Sequence, residues 1–275
     1  MEDTIIENKD IERSITKKFK STIWKRFIHS IDEYKLIQPN DKIAVCISGG
    51  KDSMILAKCM QLLKKHWNID FEIEFICMDP GYKKENRELI ESNAKHMEIP
   101  IHFFDTKIFD IVANIKESPC YLCARMRRGY LYEYAKSLGC NKIALGHHFN
   151  DAVETILLSM FYGAEYKTMM PKLKSTNHKG MELIRPLYLV REEDIIHWSN
   201  YNNLKFLQCA CKLTEGVKVG ELSSKRKEIK DLIANLKQTN PSIDWNIFNS
   251  IHKVNLDTVI GYIQNGNKKF FLEEY

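Results

Sequence analysis

The apolar run Ile43–Ile47 stops at Ser48-Gly49-Gly50-Lys51-Asp52-Ser53, and a helical pattern starts at once, from Met54 to Leu63. A short apolar run bounded by glycines reads as a buried strand, and the spacing that follows reads as a helix. Strand, glycine turn and helix in such quick succession restrict the chain to folds in which strands feed directly into covering helices. The turn also has a chemistry. Two glycines let backbone pass close to a ligand, and a helix N-terminus offers unpaired N–H groups to an anion. Lys51 adds a point charge, and the hydroxyls of Ser48 and Ser53 add donors. The stretch therefore reads as a phosphate or pyrophosphate cradle, the alternative being a glycine-rich turn with no ligand. It lacks the GxxxxGK[ST] spacing of the Walker A loop.

The same alternation continues along the chain. Strands are expected at 43–47, 73–78, 101–104 and 142–146, with a weaker one near 183–188, and helices at 53–65, 84–97, 121–138, 150–161 and 191–202. The expected fold is α/β, a Rossmann-like parallel sheet with helices on both faces. In such sheets ligands bind beyond the carboxyl ends of the strands. Both the 48–53 loop and the stretch Gly146-His147-His148-Phe149-Asn150-Asp151 fall on that edge. Residues 10–38 carry Ile15, Phe19, Ile23, Trp24, Phe27, Ile28 and Ile31 at helical spacing, and the chain after 216 reads as a helical appendage. The expected division is 1–40, an N-terminal helical segment; 41–216, the catalytic domain; and 217–275, the C-terminal appendage.

The 275 residues carry 41 Lys+Arg against 36 Asp+Glu, a formal charge of +5 that is compatible with a nucleic-acid partner without demanding one. Basic residues gather at Lys17, Lys18, Lys20, Lys25 and Arg26, at Arg125, Arg127 and Arg128, and at Lys225, Arg226 and Lys227. Each cluster alone is the ordinary solvated face of a helix. No apolar run has the length of a membrane span, and the polar, mixed-charge start MEDTIIENKD is unlike a signal peptide, so a cytoplasmic protein is expected.

Eight cysteines in that compartment are not a disulfide framework. Cys46, Cys59, Cys77 and Cys140 lie in or beside apolar segments and are assigned to the core. Cys120 and Cys123 form a CxxC at a Pro119-marked helix start, near Arg125, Arg127 and Arg128, where thiolates are favoured. Zinc, a redox dithiol and iron–sulfur ligation all fit that pair, and Cys209 and Cys211 are the later cysteines that would complete a site. Asp151 and Glu154 share a helical face, with His147 and His148 at the strand end within reach of phosphate or magnesium. Arg185-Pro186 is either a strand exit or a substrate contact.

Taken in order, SGGKDS at 48–53, PCYLCARMRRG at 119–129, KIALGHHFNDAVETILLSMFYG at 142–163, MMPKL at 169–173, IRPL at 184–187 and a cysteine pair at 209–211 resemble the tRNA 2-thiocytidine synthetase family of PP-loop ATPases. The resemblance runs from about residue 15 to about residue 215. It implies that ATP, split between its α- and β-phosphates with Mg2+, adenylates the C2 carbonyl oxygen of cytidine 32 in tRNA, and that sulfur then displaces AMP. It implies a 4Fe–4S cluster on three cysteines, its fourth iron open to the incoming sulfur, with a cysteine desulfurase or other sulfur donor upstream. Carried over, the cluster ligands are Cys120, Cys123 and Cys209, the last favoured by position over Cys211. Here Gln208 precedes the pair where the family usually has proline, and CAC stands where it usually has CxxC. Ser48, Gly49, Gly50, Lys51, Asp52 and Ser53 would grip the nucleotide, with Lys51 compensating pyrophosphate and Asp52 placing magnesium. Gly146, His147 and Asp151 would face it from the opposite strand end. Members of the family are often homodimers, though no segment here marks an interface.

Rivals share parts of this pattern. The CAC spacing leaves open a divergent thiolase with another substrate. A thiouridine-forming relative is disfavoured, because no flanking zinc-finger cysteines occur before residue 46 or after residue 211. A tRNA-lysidine synthetase has the nucleotide loop but needs no cysteine site, and a redox sensor binding ATP with iron–sulfur or zinc would show no tRNA-dependent pyrophosphate release.

Overall fold

The computed structural model describes residues 6–113, 119–207 and 221–273. Strand β1 (Lys42–Ile47) pairs in parallel with β2 (Glu72–Asp79) on one side and β4 (Lys142–Ala144) on the other. Beyond them lie β3 (Ile101–Asp105) and β6 (Glu182–Ile184), also parallel, and β5 (Lys172–Lys174) closes the β6 edge antiparallel, in the order β3-β2-β1-β4-β6-β5. Residues of β1 alternate between two cores, as a strand covered on both faces must. Ile43, Val45 and Ile47 pack with α3 (Lys51–His66) and the N-terminal helices, whereas Ala44 and Cys46 pack with Tyr132 and Ala135 of α6 (Pro119–Ser137). The expected α/β sheet with helices on both faces is the architecture observed. Cys46, Cys59, Cys77 and Cys140 are buried, and burial pushes the Cys77 thiol up to about 12 and Cys140 to about 11, so they behave as core hydrophobes.

Two edges differ from the sequence reading. Strand β5 has no apolar run to announce it, because its two lysines flank an exposed Leu173. The weak strand near 183–188 shortens to Glu182–Ile184, since Pro186 has no N–H to continue a ladder.

The N-terminal segment shows why spacing alone understates a helix. Ile11, Ile15, Phe19, Ile23, Phe27 and Ile31 recur every fourth residue and are all buried. In an ideal α-helix a four-residue step drifts by about 40° around the axis, so six such positions would leave the core. The chain keeps them on one side by widening its turns. It runs from α1 (Asn8–Arg13) through π-helical turns at Ser14–Lys18 and Lys20–Trp24 into α2 (Lys25–Glu33).

Contacts divide the chain into two compact units, the first comprising residues 1–152 and 169–224, the second 153–168 and 225–275. Within the second, buried Glu154 of α7 (Phe149–Gly163) meets Arg226 Nε at 3.3 Å and Lys230 Nζ at 3.6 Å, both on α9 (Glu221–Thr239). Buried Asp244, on α10 (Ile243–His252), meets Lys237 at 3.1 Å. The helical reading of this end missed a hairpin, β7 (Gly261–Gln264) with β8 (Asn267–Phe270). Its turn, Asn265-Gly266 with both φ positive, is the strongest short hairpin signal a sequence carries.

In the first unit, Lys142 at the start of β4 is buried and ion-paired. Its Nζ lies 2.8 Å from Asp41 and 3.2 Å from Glu182, and donates to the Leu36 carbonyl at 2.9 Å. Asp41 also accepts from the Gln38 N–H at 2.6 Å and from Asn141 Nδ2 at 2.7 Å. Removing one partner of such a pair leaves an uncompensated buried charge. Lys142→Ala is therefore expected to lower stability by about 3–5 kcal/mol, read as a reduced urea midpoint.

Candidate active site

At the carboxyl end of β1 the backbone turns through Gly49, whose φ of +82° is open to glycine, and a Cβ there would come within 2.5 Å of the Ile90 side chain. The turn is closed internally. Ser53 Oγ donates to the Gly50 carbonyl at 2.9 Å and accepts from the Ser48 N–H at 3.1 Å and the Ser48 hydroxyl at 3.2 Å. Helix α3 then begins at Lys51, so its free N–H groups face the loop. Strand β4 stops at Ala144, earlier than the sequence suggested, and Gly146 lies against the start of α3. A Cβ on Gly146 would sit 3.0 Å from Asp52 C and Ser53 N. This contact brings the two ligand-facing strand ends together.

Four ionisable groups gather there. Lys51 Nζ is 3.1 Å from Asp52 Oδ2 and 3.1 Å from Oε1 of Glu192, the first residue of α8 (Glu192–Tyr201). Burial alone would depress the Lys51 ammonium, but the two carboxylates outweigh it and raise its pKa. Buried His148 places Nε2 4.0 Å from both Asp52 and Glu192. Burial dominates at Asp52 and holds its carboxyl above the ordinary range despite His148 and Lys51. Its Oδ1 is buried with no hydrogen-bond partner among the described residues. An orphaned carboxylate oxygen beside a phosphate cradle fits a divalent cation held with the nucleotide.

Not every expected residue meets the loop. Asp151 closes a reciprocal cap at the start of α7, accepting from the His148 N–H at 3.0 Å while its own N–H reaches His148 Nδ1 at 3.4 Å. His147 is half-buried, and of the two histidines it is His148 that approaches Asp52. Glu154 faces α9 rather than this cluster. Arg185 is buried and donates to the Met170 carbonyl, and burial pushes it down to about 10. Glu192 was not singled out by sequence reasoning; an acidic helix start is common, and nothing local ties it to Lys51.

A cleft of about 860 Å³ opens from the loop, in the size range of small-molecule sites. Ser48, Gly50, Lys51 and Asp52 line one part of it, and Cys123 and Arg127 of α6 another. Tyr82 joins them because Asp79, at the end of β2, accepts the N–H groups of Gly81 and Tyr82 at 2.8 and 2.7 Å and so bends the chain inward. Burial works against the Asp79 charge, but those two N–H groups and Arg87, 2.8 Å away, keep its pKa below the usual range. Leu207 donates its N–H to the Gly49 carbonyl at 3.1 Å and closes the cleft's rim. Cys123 is buried in an apolar cluster with Met78, Phe109 of α5 (Ile108–Ala113) and Val112. Cys120 stands in the first turn of α6 with its side chain outside the described residues, as are Cys209 and Cys211 altogether. Among the described residues no cluster of three metal-ligating side chains forms, and no helix is long and apolar enough to cross a membrane.

A mostly parallel sheet with a glycine turn after a central strand and a lysine at the helix start is the frame of a nucleotide-binding protein. The SGGKDS turn, without Walker A spacing, is that of the PP-loop class. A family model described as a PP-loop domain matches residues 11–212. The tRNA-cytidine(32) 2-sulfurtransferase of Geotalea uraniireducens (strain Rf4) is 35% identical over 229 residues, 82% of this chain and 88% of the relative. The protein of the same name from Geobacter sulfurreducens is 32% identical over 241 residues, 86% of this chain and 90% of the relative. The chain belongs to the PP-loop family and, within it, to the tRNA-cytidine(32) 2-sulfurtransferases, the tRNA 2-thiocytidine synthetase family. Among solved structures, the U34-tRNA thiolase NcsA from Methanococcus maripaludis with its 4Fe-4S cluster shares the fold, with a TM-score of 0.65 at 19% identity over 83% of this chain and 76% of that one.

The Asp52 environment sets a test. A carboxyl whose pKa is raised by folding costs stability when ionised. The cost is complete above the folded pKa and absent below the ordinary value. Asp52→Asn is expected to raise the thermal midpoint of the ligand-free protein at neutral pH, with the gain shrinking as pH falls toward the ordinary Asp range. A midpoint difference independent of pH would show that ionisation of Asp52 carries no such cost.

Proposed function

We infer that this protein is an ATP-dependent tRNA sulfurtransferase that adenylates cytidine 32 of tRNA and replaces its C2 oxygen with sulfur, giving 2-thiocytidine. The observation that carries this reading is the single cleft that joins the Ser48–Asp52 loop to Cys123 and Arg127. A nucleotide loop alone serves many reactions; one that opens onto a cysteine of a CxxC suits activation followed by sulfur delivery. The relatives' names supply the substrate.

In this reading the loop N–H groups and the Ser48 hydroxyl hold the β- and γ-phosphates of ATP. The C2 carbonyl oxygen of cytidine attacks the α-phosphorus, and the bond to the β-phosphate breaks to release pyrophosphate. Lys51 exchanges its ion pairs with Asp52 and Glu192 for the departing charge. The Oδ1 of Asp52, which has no hydrogen-bond partner among the described residues, is the atom that would hold Mg2+. The oxygen then leaves C2 as part of AMP when sulfur adds, because an adenylated oxygen is a good leaving group where a carbonyl oxygen is not. Cys120, Cys123 and Cys209 would hold a 4Fe–4S cluster, which when bound supplies an open coordination position for the sulfur nucleophile. Cys123 fits that duty by lying within the cleft. A cysteine desulfurase or another donor replaces the sulfur consumed.

Two measurements test this. Purified without oxygen, the wild-type protein is expected to hold about four irons with matching acid-labile sulfide, and Cys120→Ala to lose them; zinc, or no metal, would sever the link to cluster-dependent thiolation. Pyrophosphate release is expected to depend on added tRNA and to fall by about 10²–10³-fold in Lys51→Ala. ATP turnover that ignores tRNA would favour a nucleotide-binding sensor instead.

A further inference from the structure

Helix α6 has a second functional face. Cys123 and Arg127, four residues apart, line the ATP cleft, whereas Ala124, Arg125, Arg128 and Gly129 line a separate pocket of about 480 Å³. At 3.6 residues per turn the two groups point about 150° apart, so a helix about 10 Å wide separates them. The far wall of the pocket is strand β5 and the turn after it, Leu173 to His178. That turn is built rather than loose. Ser175 Oγ accepts from the His178 N–H at 3.1 Å, the Ser175 N–H donates to the Met181 carbonyl at 2.9 Å, and the His178 ring stacks on buried Tyr132 with centroids 4.8 Å apart.

Three features of this pocket fit an anionic, planar ligand. Its lining includes Arg125, Arg128 and Lys174 and no acid, and none of the three is ion-paired among the described residues, unlike Lys51, Arg87 and Lys142. Gly129 lies inside a helix at a conformation any residue adopts, and a Cβ there would meet nothing within 4 Å. Neither packing nor backbone demands glycine at a position where it weakens the helix, and its effect is to leave the floor bare for close approach. Exposed Leu173 and the half-buried ring of His178 add an apolar surface beside the cations.

The geometry points to this pocket as the seat of a nucleotide of the substrate RNA that adjoins the one entering the ATP cleft, its phosphate on Arg125, Arg128 and Lys174 and its base on Leu173 and His178. The inference rests on the tRNA reading above and deepens it: α6 splits the strand, holding a neighbour on one face while the target base turns to the other. A base that reacts must leave its stack, and a neighbour fixed on the far side of the helix keeps it out.

Binding of a fluorescent anticodon stem-loop RNA to the full-length protein across a salt series tests this. The Arg125→Gln/Arg128→Gln double variant is expected to bind more weakly and to flatten the slope of log affinity against log salt by about 1.4, as for two lost single-strand phosphate contacts. Its ATP affinity is expected to stay at the wild-type value. Gly129→Ala, a change that favours the helix, is expected to keep or raise the thermal midpoint while weakening RNA binding. Wild-type RNA binding with an unchanged slope in the double variant overturns the pocket alone. Loss of ATP affinity in that variant overturns it as well, by making the pocket part of the nucleotide site. A wild-type protein that binds no RNA overturns the tRNA reading and the pocket with it.

Discussion

Everything at the ligand-binding edge depends on one backbone contact, the seating of Gly146 against the first turn of α3. A Cβ at 146 would sit 3.0 Å from the Asp52–Ser53 peptide, so any side chain there requires the exit of β4 or the start of the helix to give by a few tenths of an ångström. From that seat follow the position of His148 beside Asp52 and the cap that Asp151 makes at α7. Glu192 is tied to the same place, since its N–H donates to Asn150 Oδ1 at 3.0 Å. The phosphate loop, the histidine and the acidic start of α8 are thus one assembly.

That assembly is electrostatically unfinished. One lysine is shared by two carboxylates, a buried aspartate oxygen has no hydrogen-bond partner among the described residues, and burial opposes the Asp52 charge. Folded proteins keep such arrangements where a ligand completes them. The Lys142–Asp41–Glu182 group at the opposite, amino end of the sheet is the contrast: its lysine also donates to a backbone carbonyl, and its aspartate also accepts two hydrogen bonds. Similar residues in one sheet are therefore well satisfied at one edge and leave a buried carboxylate oxygen unsatisfied among the described residues at the other.

Much of this was legible in the chain. Apolar runs marked β1 and the buried half of β2, because strands buried on both faces have no polar face to interrupt them. The edge strand β3 was found despite its exposed His102. The glycines and lysine of the 48–53 loop carried their chemistry locally, and four cysteines in apolar segments read correctly as core. Most of the features that were missed have no local signature. Strand β5 is short and half exposed; the π-helical turns before Lys25 are a response to core packing; the hairpin at Asn265-Gly266 had its signal but lay in a stretch read as helical.

The sequence by itself determined what each segment could be: a strand, a phosphate-gripping turn, a cysteine-bearing helix start, in an order shared with one family. Only the tertiary structure decided which of them meet. Lys51 and Glu192 stand 141 residues apart, and Cys123 reaches the loop's cleft because α6 packs over Ala44 and Cys46 of the strand that leads into it. Propensity and periodicity act over a few residues, whereas the pairing of distant charges is set by how the sheet stacks its helices. A chain of letters holds that information only through the fold.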